Sequence, residues 1–111
     1  MSVPVAPDQL ASTVDARRGS PFLITVGPDG RPKVSSVLVV VDDVGPTLTI
    51  WVGDRTRANV AERPDVTVLW PHADGEEHAL IVDGEAKVVE GAVVVSPTWA
   101  VLHVPAGRRG S

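Results

Sequence analysis

The chain of 111 residues has the length of one compact domain, and its 10 basic and 14 acidic residues give a formal net charge of −4. This balance excludes an electrostatic surface for wrapping DNA or RNA, and no polybasic block points to a membrane surface. Cysteine is absent, which excludes disulfide bonds and thiolate metal sites and favours a cytoplasmic location.

The N-terminus lacks a basic segment followed by an apolar one, so we expect no secretory signal, and no apolar run approaches the ~20 residues that span a bilayer. Valine dominates the apolar residues, and short β-branched runs are separated by ten Gly and ten Pro residues. This pattern favours strands. We expect residues 1–111 to form one domain, with a helical arm over 1–19 and a frayed tail over 106–111.

Turn residues divide the first half of the chain into one helix and three strands. Residues 7–18 predict a short amphipathic helix with Leu10 and Val14 on one face. The predicted strands are Phe22–Val26, 32–41 and Leu48–Val52, with a glycine turn at Pro28–Gly30. Residues 37–41 are apolar throughout, which is typical of a strand covered on both faces, and a second subunit would supply that cover.

The second half of the chain predicts a short helix and further strands. Asp54 or Thr56 is the expected N-cap of a helix over Ala58–Arg63. The predicted strands are Val66–Trp70, His78–Val89 with a bulge or bend at Asp83–Gly84, and residues 93–95 and 99–104 as one strand or a pair. This many short strands with one embedded helix predict an antiparallel barrel or sandwich.

The densest polar cluster of the chain, residues 54–59, follows directly on a predicted strand. A helix start exposes unpaired N–H groups that bind anions, and Arg55, Thr56 and Arg57 add donors suited to phosphate oxygens. The alternative is a capped surface helix with solvated arginines and an Asp54–Arg57 ion pair. Asp54 also weighs against phosphate, because it places a negative charge where the anion would lie.

Four short pieces of the chain carry a family resemblance. They are a Gly-x-Pro turn at 30–32, the segment Asp-Arg-Thr-Arg-Ala-Asn-Val at 54–60, Pro-Asp-Val at 64–66 and Gly-Glu-Ala at 84–86. In order and spacing they resemble the pyridoxamine 5′-phosphate oxidase-like proteins, over about residues 20–105. The resemblance implies a mainly β, antiparallel, Greek-key-like split β-barrel of six to seven strands with one or two short helices.

The resemblance also implies a homodimer with two cofactor sites at the subunit interface. The expected cofactor is FMN, with the deazaflavin F420 as the alternative, and the partner molecule is a small-molecule substrate. Flavin enzymes leave redox chemistry to the cofactor, so no catalytic residue can be named. Carried over by position, the cofactor-binding residues are Lys33, Val34, Ser35, Ser36, Val37, Trp51, Val52, Arg55, Thr56, Arg57, Asn59, Trp70 and His78.

These residues take different expected roles. Residues 33–37 would run along the isoalloxazine, while Trp51 and Val52 would flank the ribityl chain. Arg55 matches the arginine at the phosphate, and Asn59 matches an asparagine that braces the helix. Trp70 and His78 lie in strands that would reach the partner subunit's site.

The chain departs from the family pattern at two residues and in its C-terminal part. Asp54 replaces a Ser or Thr, and Thr56 stands where a phosphate-binding Lys is usual. The C-terminal substrate-binding segment is also absent, so pyridoxamine phosphate oxidation itself is not expected. The main expectation is a flavin- or deazaflavin-dependent oxidoreductase. The alternatives are a non-enzymatic split barrel, acting as a flavin or haem carrier or an interaction module, and an unrelated small β-barrel binding protein.

The aromatic residues and histidines have simpler readings as well. Trp51 either covers a flavin face or fills the barrel end, and the same two alternatives apply to Trp70. Trp99 is expected in the core or in a dimer interface. The three histidines, His72, His78 and His103, lack the spacing of a metal site. Since some split-barrel relatives bind haem, His72 and His78 are the candidate haem-binding residues.

Overall fold

The computed structural model describes residues 2–42 and 44–105. The strands are β1 (Ser2–Pro4), β2 (Phe22–Val26), β3 (Pro32–Ser36), β4 (Val39–Asp42), β5 (Thr47–Trp51), β6 (Asp65–Trp70), β7 (Ala79–Val89) and β8 (Ala92–His103). The helices are α1 (Leu10–Asp15), preceded by one 3-10 turn at Pro7–Gln9, and α2 (Asp54–Glu62). In the part of the chain that is described, neither helix is long enough to cross a membrane.

One curled antiparallel sheet contains all of these strands. The strand order is β3-β2-β6-β7-β8-β5-β4, and β1 pairs with β8 beside that path. The two ends of the path, β3 and β4, are consecutive in the chain and are separated by Val37 and Leu38 alone. The sheet must therefore curl until its ends meet, which produces a barrel that is split between β3 and β4. The expected fold class is confirmed.

Strict alternation along the strands builds the interior. Leu23 in β2, Leu48 and Ile50 in β5, and Val93 and Val95 in β8 are all fully buried, while their neighbours in sequence are more exposed, although Ala92 at the start of β8 is also buried. Helix α1 lies against this core through Leu10 and Val14, as the sequence predicts, although the helix ends at Asp15 rather than at residue 18.

The predicted single strand 32–41 is wrong, because the structure divides it into β3 and β4 at opposite ends of the sheet. Val37 turns inward with 8% exposure, and Leu38 is 78% exposed. An apolar run contains no alternation that would reveal such a corner. Val40 is 54% exposed, so the described chain leaves one face of β4 uncovered.

Helix α2 begins four residues before its predicted start. Its N-cap is Gly53, whose carbonyl accepts from the N–H of Arg57 at 3.1 Å, and neither Asp54 nor Thr56 caps the helix. The other predicted strands are confirmed to within a residue or two, and the last one is a single strand, β8. Strand β1 was not predicted, because its residues Ser2–Pro4 carry no distinguishing pattern.

The predicted irregularity in β7 is a register shift between Asp83 and Gly84. Gly84 is buried here, and a Cβ on it would lie 2.6 Å from both the carbonyl oxygen of Ser96 and Cγ1 of Val95. The close approach of β7 and β8 therefore requires glycine.

Gly84→Ala is expected to destabilise the protein by about 1–3 kcal/mol, because β8 would have to move away from the new methyl group. Urea denaturation measures this change in the free energy of unfolding. Gly53→Ala is the matched control, since no atom lies within 4 Å of a Cβ there and only an N-cap preference is lost. Equal losses in both variants would contradict the packing explanation.

Candidate functional site

Helix α2 lies where β5 ends, and it presents two different faces. Thr56, Asn59 and Val60 follow helical spacing and are buried against the inner face of the sheet. The side-chain amide of Asn59 lies 3.5 Å from the hydroxyl of Thr25 in β2, to which it donates. Arg55 is exposed on the other side of the helix. Asn59 thus braces the helix, and Thr56 is 5% exposed and faces away from solvent.

A basic groove lies beside this helix. It has a volume of about 540 Å³ and is bounded by the β2–β3 turn, the start of β3 and the exposed face of α2. Arg31, Lys33 and Arg55 line it, together with one carboxylate, Asp29. In a chain whose net charge is −4, the groove therefore concentrates three cations against one anion.

The β2–β3 turn places these cations. Its conformation is held by the N–H of Arg31, which donates to Oδ1 of Asp29 at 3.0 Å, and by the N–H of Gly27, which donates to the carbonyl of Arg31 at 2.9 Å. Gly30 has a φ of 80°, which favours glycine. Asp29 is thus engaged with the backbone of the turn. From the sequence, Arg31 is considered only as a possible cation for the acidic tail of F420, together with Arg17, Arg18 and Lys33. It is not placed beside Arg55, because 24 positions separate the two and only the packing of α2 brings them together.

Arg57 has structural partners and does not line the groove. Its guanidinium pairs with Asp54, donates to the carbonyl of Val52 and donates to the carbonyl of Gly91 at 2.9 Å. It therefore ties the start of α2 to the end of β5 and to the β7–β8 turn. This is the ion pair that the alternative interpretation of the polar cluster predicted, and the negative charge of Asp54 is balanced by it.

Strand β3 presents its residues on two faces along a free edge. Val34 and Ser36 are exposed on the outer face, and Lys33 and Ser35 are half-buried on the inner one. Val37 is buried at the corner. Because β3 pairs only with β2, its other edge leaves backbone donors and acceptors free of any described strand.

The three tryptophans lie in different environments. Trp51 is 56% exposed at the end of β5, beside half-buried Val52, so it does not fill the barrel end. Trp70 is 3% exposed and belongs to the core of its own barrel. It is therefore not available to a cofactor at the subunit surface, which corrects the role expected for it. Trp99 is 55% exposed and is not a core residue.

The fold matches known structures. A protein from Clostridium acetobutylicum, related to general stress protein 26 of B. subtilis and described as pyridoxinephosphate oxidase family, aligns with a TM-score of 0.65 and 11% identity over 90% of this chain and 91% of its own. The chain has the split β-barrel fold of the pyridoxamine phosphate oxidase-like proteins. No family model matches it.

Two further split barrels are similar over nearly all of this chain. A protein described as an F420 reductase aligns with a TM-score of 0.59 and 20% identity over 94% of this chain and 97% of its own. A heme binding protein from Mycobacterium smegmatis aligns with a TM-score of 0.58 and 17% identity over 96% of this chain and 57% of its own.

In sequence, the split barrel is 46% identical over 84 residues to uncharacterized proteins of Mycobacterium bovis and Mycobacterium tuberculosis. The match covers 69% of this chain and 51% of each relative. The chain thus spans about half the length of the curated relatives it matches.

A second polar cluster holds the loop before β7, where His78 lies. The guanidinium of Arg17 donates to the carbonyl of His78 and pairs with Glu76 at 3.3 Å, and both side chains are about nine-tenths buried. Oε1 of Glu76 accepts from the N–H of Ala73 at 2.8 Å, and Oε2 accepts from the N–H of Arg18 at 3.3 Å. These contacts fasten the arm after α1 to the loop and fix the backbone of His78.

The hydrogen bond from Ala73 is the largest effect and lowers the pKa of Glu76 below its ordinary value of 4.5. Burial, the second largest, acts to raise it, and the Arg18 N–H and the charges of Arg17 and Arg18 lower it further. A carboxyl whose pKa is lower in the folded state contributes stability above the unfolded-state value. That contribution is lost as the pH falls through the folded-state pKa.

Glu76→Gln is therefore expected to lower the free energy of unfolding at about pH 7, and the difference from wild type should shrink as the pH falls below 4.5. Urea denaturation at several pH values between about 7 and 3.5 measures it. Glu85→Gln, at an exposed position on β7, is the control and should follow wild type. A difference that stays constant or grows at low pH would contradict this assignment.

Proposed function

We propose that the chain binds the phosphate of a flavin-type cofactor in the basic groove and serves as a small oxidoreductase. The observation that carries this proposal is the convergence of Arg31, Lys33 and Arg55 in one groove. Arginine offers planar pairs of donors that match phosphate oxygens, and lysine adds a compact charge. A phosphate monoester placed there would meet more positive than negative charge.

The rest of the groove suits the remainder of such a cofactor. The free edge of β3 offers backbone groups beside Lys33, and the hydroxyl of Ser35, half-buried on the same face as Lys33, adds a donor and acceptor along the strand. When bound, a flavin or deazaflavin supplies hydride transfer. The residues of this chain would bind and orient it.

FMN is the proposed ligand, and F420 is the second candidate. Two observations favour F420 as an alternative. Three cations exceed what one phosphate requires, so the groove has charge to spare for further acidic groups. A solved F420 reductase also shares this fold over 94% of this chain.

A non-enzymatic split barrel is supported by a different observation. Within the segment Arg55-Thr56-Arg57, Thr56 is buried and Arg57 is paired with Asp54, so only Arg55 faces the groove. Phosphate binding would then depend on cations from the β2–β3 turn and on Arg55. The chain would then keep the fold and bind a ligand more weakly. A heme binding protein has the same fold, so a flavin is not the one possible ligand of this scaffold.

We also infer that the chain forms a homodimer through the outer face of β3, β2, β6, β7 and β8. The register aligns two rows of side chains across these strands. One row contains Val34, Ile24, Thr67, Asp83 and Trp99, with the hydroxyl of Thr67 donating to the carboxylate of Asp83, and the other contains Phe22, Leu69, Ile81 and Val101.

Apart from Thr67 and Asp83 these side chains are apolar, and they are exposed or half-buried, while α2 packs on the opposite, inner face. A broad apolar sheet face of this kind is typical of a protein–protein interface, since contiguous apolar surface is rarely left in water. Val34 and Ser36 belong to the same strand as Lys33. The interface would therefore adjoin the basic groove.

The cofactor proposal is tested by titrating the protein with FMN and, separately, with F420, following cofactor fluorescence. Wild type is expected to bind one of them with micromolar or tighter affinity. Arg55→Ala and Lys33→Ala should each weaken binding about tenfold or more, because each removes a charge-assisted bond of ~1.5–3 kcal/mol. Lys87→Ala, on β7 and outside the groove, is the matched control. Failure of both cofactors to bind would leave the non-enzymatic alternative.

The dimer proposal is tested by sedimentation equilibrium at micromolar concentration. Wild type is expected at twice the chain mass of 11.6 kDa. Val34→Asp should shift it toward the monomer, because the aspartate would place a charge in the apolar face. Val44→Asp, 85% exposed at the β4–β5 turn, is the control and should stay dimeric. A monomeric wild type would remove the shared site.

A further inference from the structure

A second cavity lies at the edge of β8, far along the chain from the basic groove. On this edge, β5 pairs with Ala92–Val95 and β1 pairs with Val101–His103. On this edge no described strand pairs with residues 96–99, although β7 pairs with them on the opposite edge of β8. The N–H of Val5 donates to the carbonyl of Ala100 at 2.8 Å, at one end of this gap. The cavity occupies the gap between two strands that share one edge.

The walls of this gap cavity are apolar and rigid. Its volume is about 590 Å³, within the range of about 300–1,000 Å³ that is usual for small-molecule sites. Four prolines line it: Pro4, Pro7, Pro46 and Pro97. Since proline fixes one backbone angle, these walls have little conformational freedom to lose when a ligand binds.

The chemistry of the described lining favours a neutral ligand over an anionic one. Among the described residues that line the cavity none is charged, and the polar side-chain groups are the Gln9 carboxamide, the Thr98 hydroxyl and the Trp99 indole N–H. The hydroxyl of Thr98 donates to the carbonyl of Asp83 at 3.2 Å, so the carboxamide of Gln9 is the main polar group left for a ligand. The gap cavity and the basic groove share no residue. A phosphate-bearing cofactor therefore belongs in the groove and not here.

We propose that the gap cavity is a separate binding site for a neutral, mainly apolar small molecule that contains an aromatic ring. The ring of Trp99, which is 55% exposed, offers a stacking surface at the mouth, and Leu10 forms part of the apolar lining. The Gln9 carboxamide would bond a single hydroxyl or carbonyl of the ligand. This site does not depend on the proposed cofactor.

A second copy of the chain is a poorer occupant than a small molecule. A stable protein–protein interface buries about 800 Å² on each partner, which requires a broad surface. The gap cavity is a concave space of about 590 Å³, whereas the outer sheet face described above extends across five strands. Trp99 lies at the boundary of the two, so its test must separate ligand binding from dimerisation.

The test uses N-phenyl-1-naphthylamine, a neutral aromatic dye whose fluorescence rises in apolar surroundings. Wild type is expected to bind it with micromolar affinity. Ala6→Trp, at an exposed lining position, should fill the gap cavity and weaken binding at least tenfold, and Trp99→Ala should weaken it severalfold. Trp51→Ala is the matched control, since Trp51 is 56% exposed but lies outside the cavity. Amide NMR shifts on dye addition should appear at Gln9, Thr98 and Ala100, and not at Arg55.

Each contrary result overturns the proposal. Absence of dye binding at about 100 µM, or undiminished binding by Ala6→Trp, would show that the gap cavity is not a ligand site. Dye-induced dissociation of the dimer by sedimentation would show that a second copy occupies the gap. Cofactor titration of Ala6→Trp distinguishes failure of this proposal from failure of the cofactor proposal. That variant should bind the cofactor as wild type does, whatever the dye result.

Discussion

Val37 and Leu38 are the entire connection between the two ends of the strand path, and this short connection determines the shape of the molecule. A sheet whose end strands are joined by two residues cannot stay open, so it curls around the side chains on its concave face. That curl creates one closed interior of Leu, Ile and Val. It leaves a convex face with apolar residues that the described chain does not cover. The barrel and its uncovered surface have the same cause.

Helix α2 converts this barrel into a candidate binding protein. Its buried face is secured to the sheet by Asn59 and Thr56, and its start is tied by Arg57 to the ends of β5 and β7. With these residues committed to structure, Arg55 remains free to face the β2–β3 turn. The positive charge of the groove is therefore produced by segments that are distant in sequence. In an acidic chain, such a concentration of cations attracts an anion specifically to that place.

The surface separates polar and apolar recognition. The basic groove lies at the β2–β3 turn and α2, while the gap cavity lies where β5 and β1 leave part of one edge of β8 unpaired. The outer sheet face extends from β3, which borders the basic groove, to β8, which borders the gap cavity. A ligand with a phosphate and a ligand without charge would thus be received at different places, and a second subunit at a third. Each surface has its own chemistry because each is built from different strand ends.

The sequence by itself determined most of the strands, the glycine turn at Gly30, the bulge at Asp83–Gly84 and the resemblance that predicted the split barrel. These features are local, since period-two alternation and turn residues act over a few positions. Only the tertiary structure decided the break between β3 and β4, the burial of Trp70 and Thr56, the exposure of Trp51 and Trp99, and the convergence of Arg31 with Arg55. Those depend on which strands become neighbours when the sheet curls, and uniform apolar runs or single side chains carry no local record of that pairing.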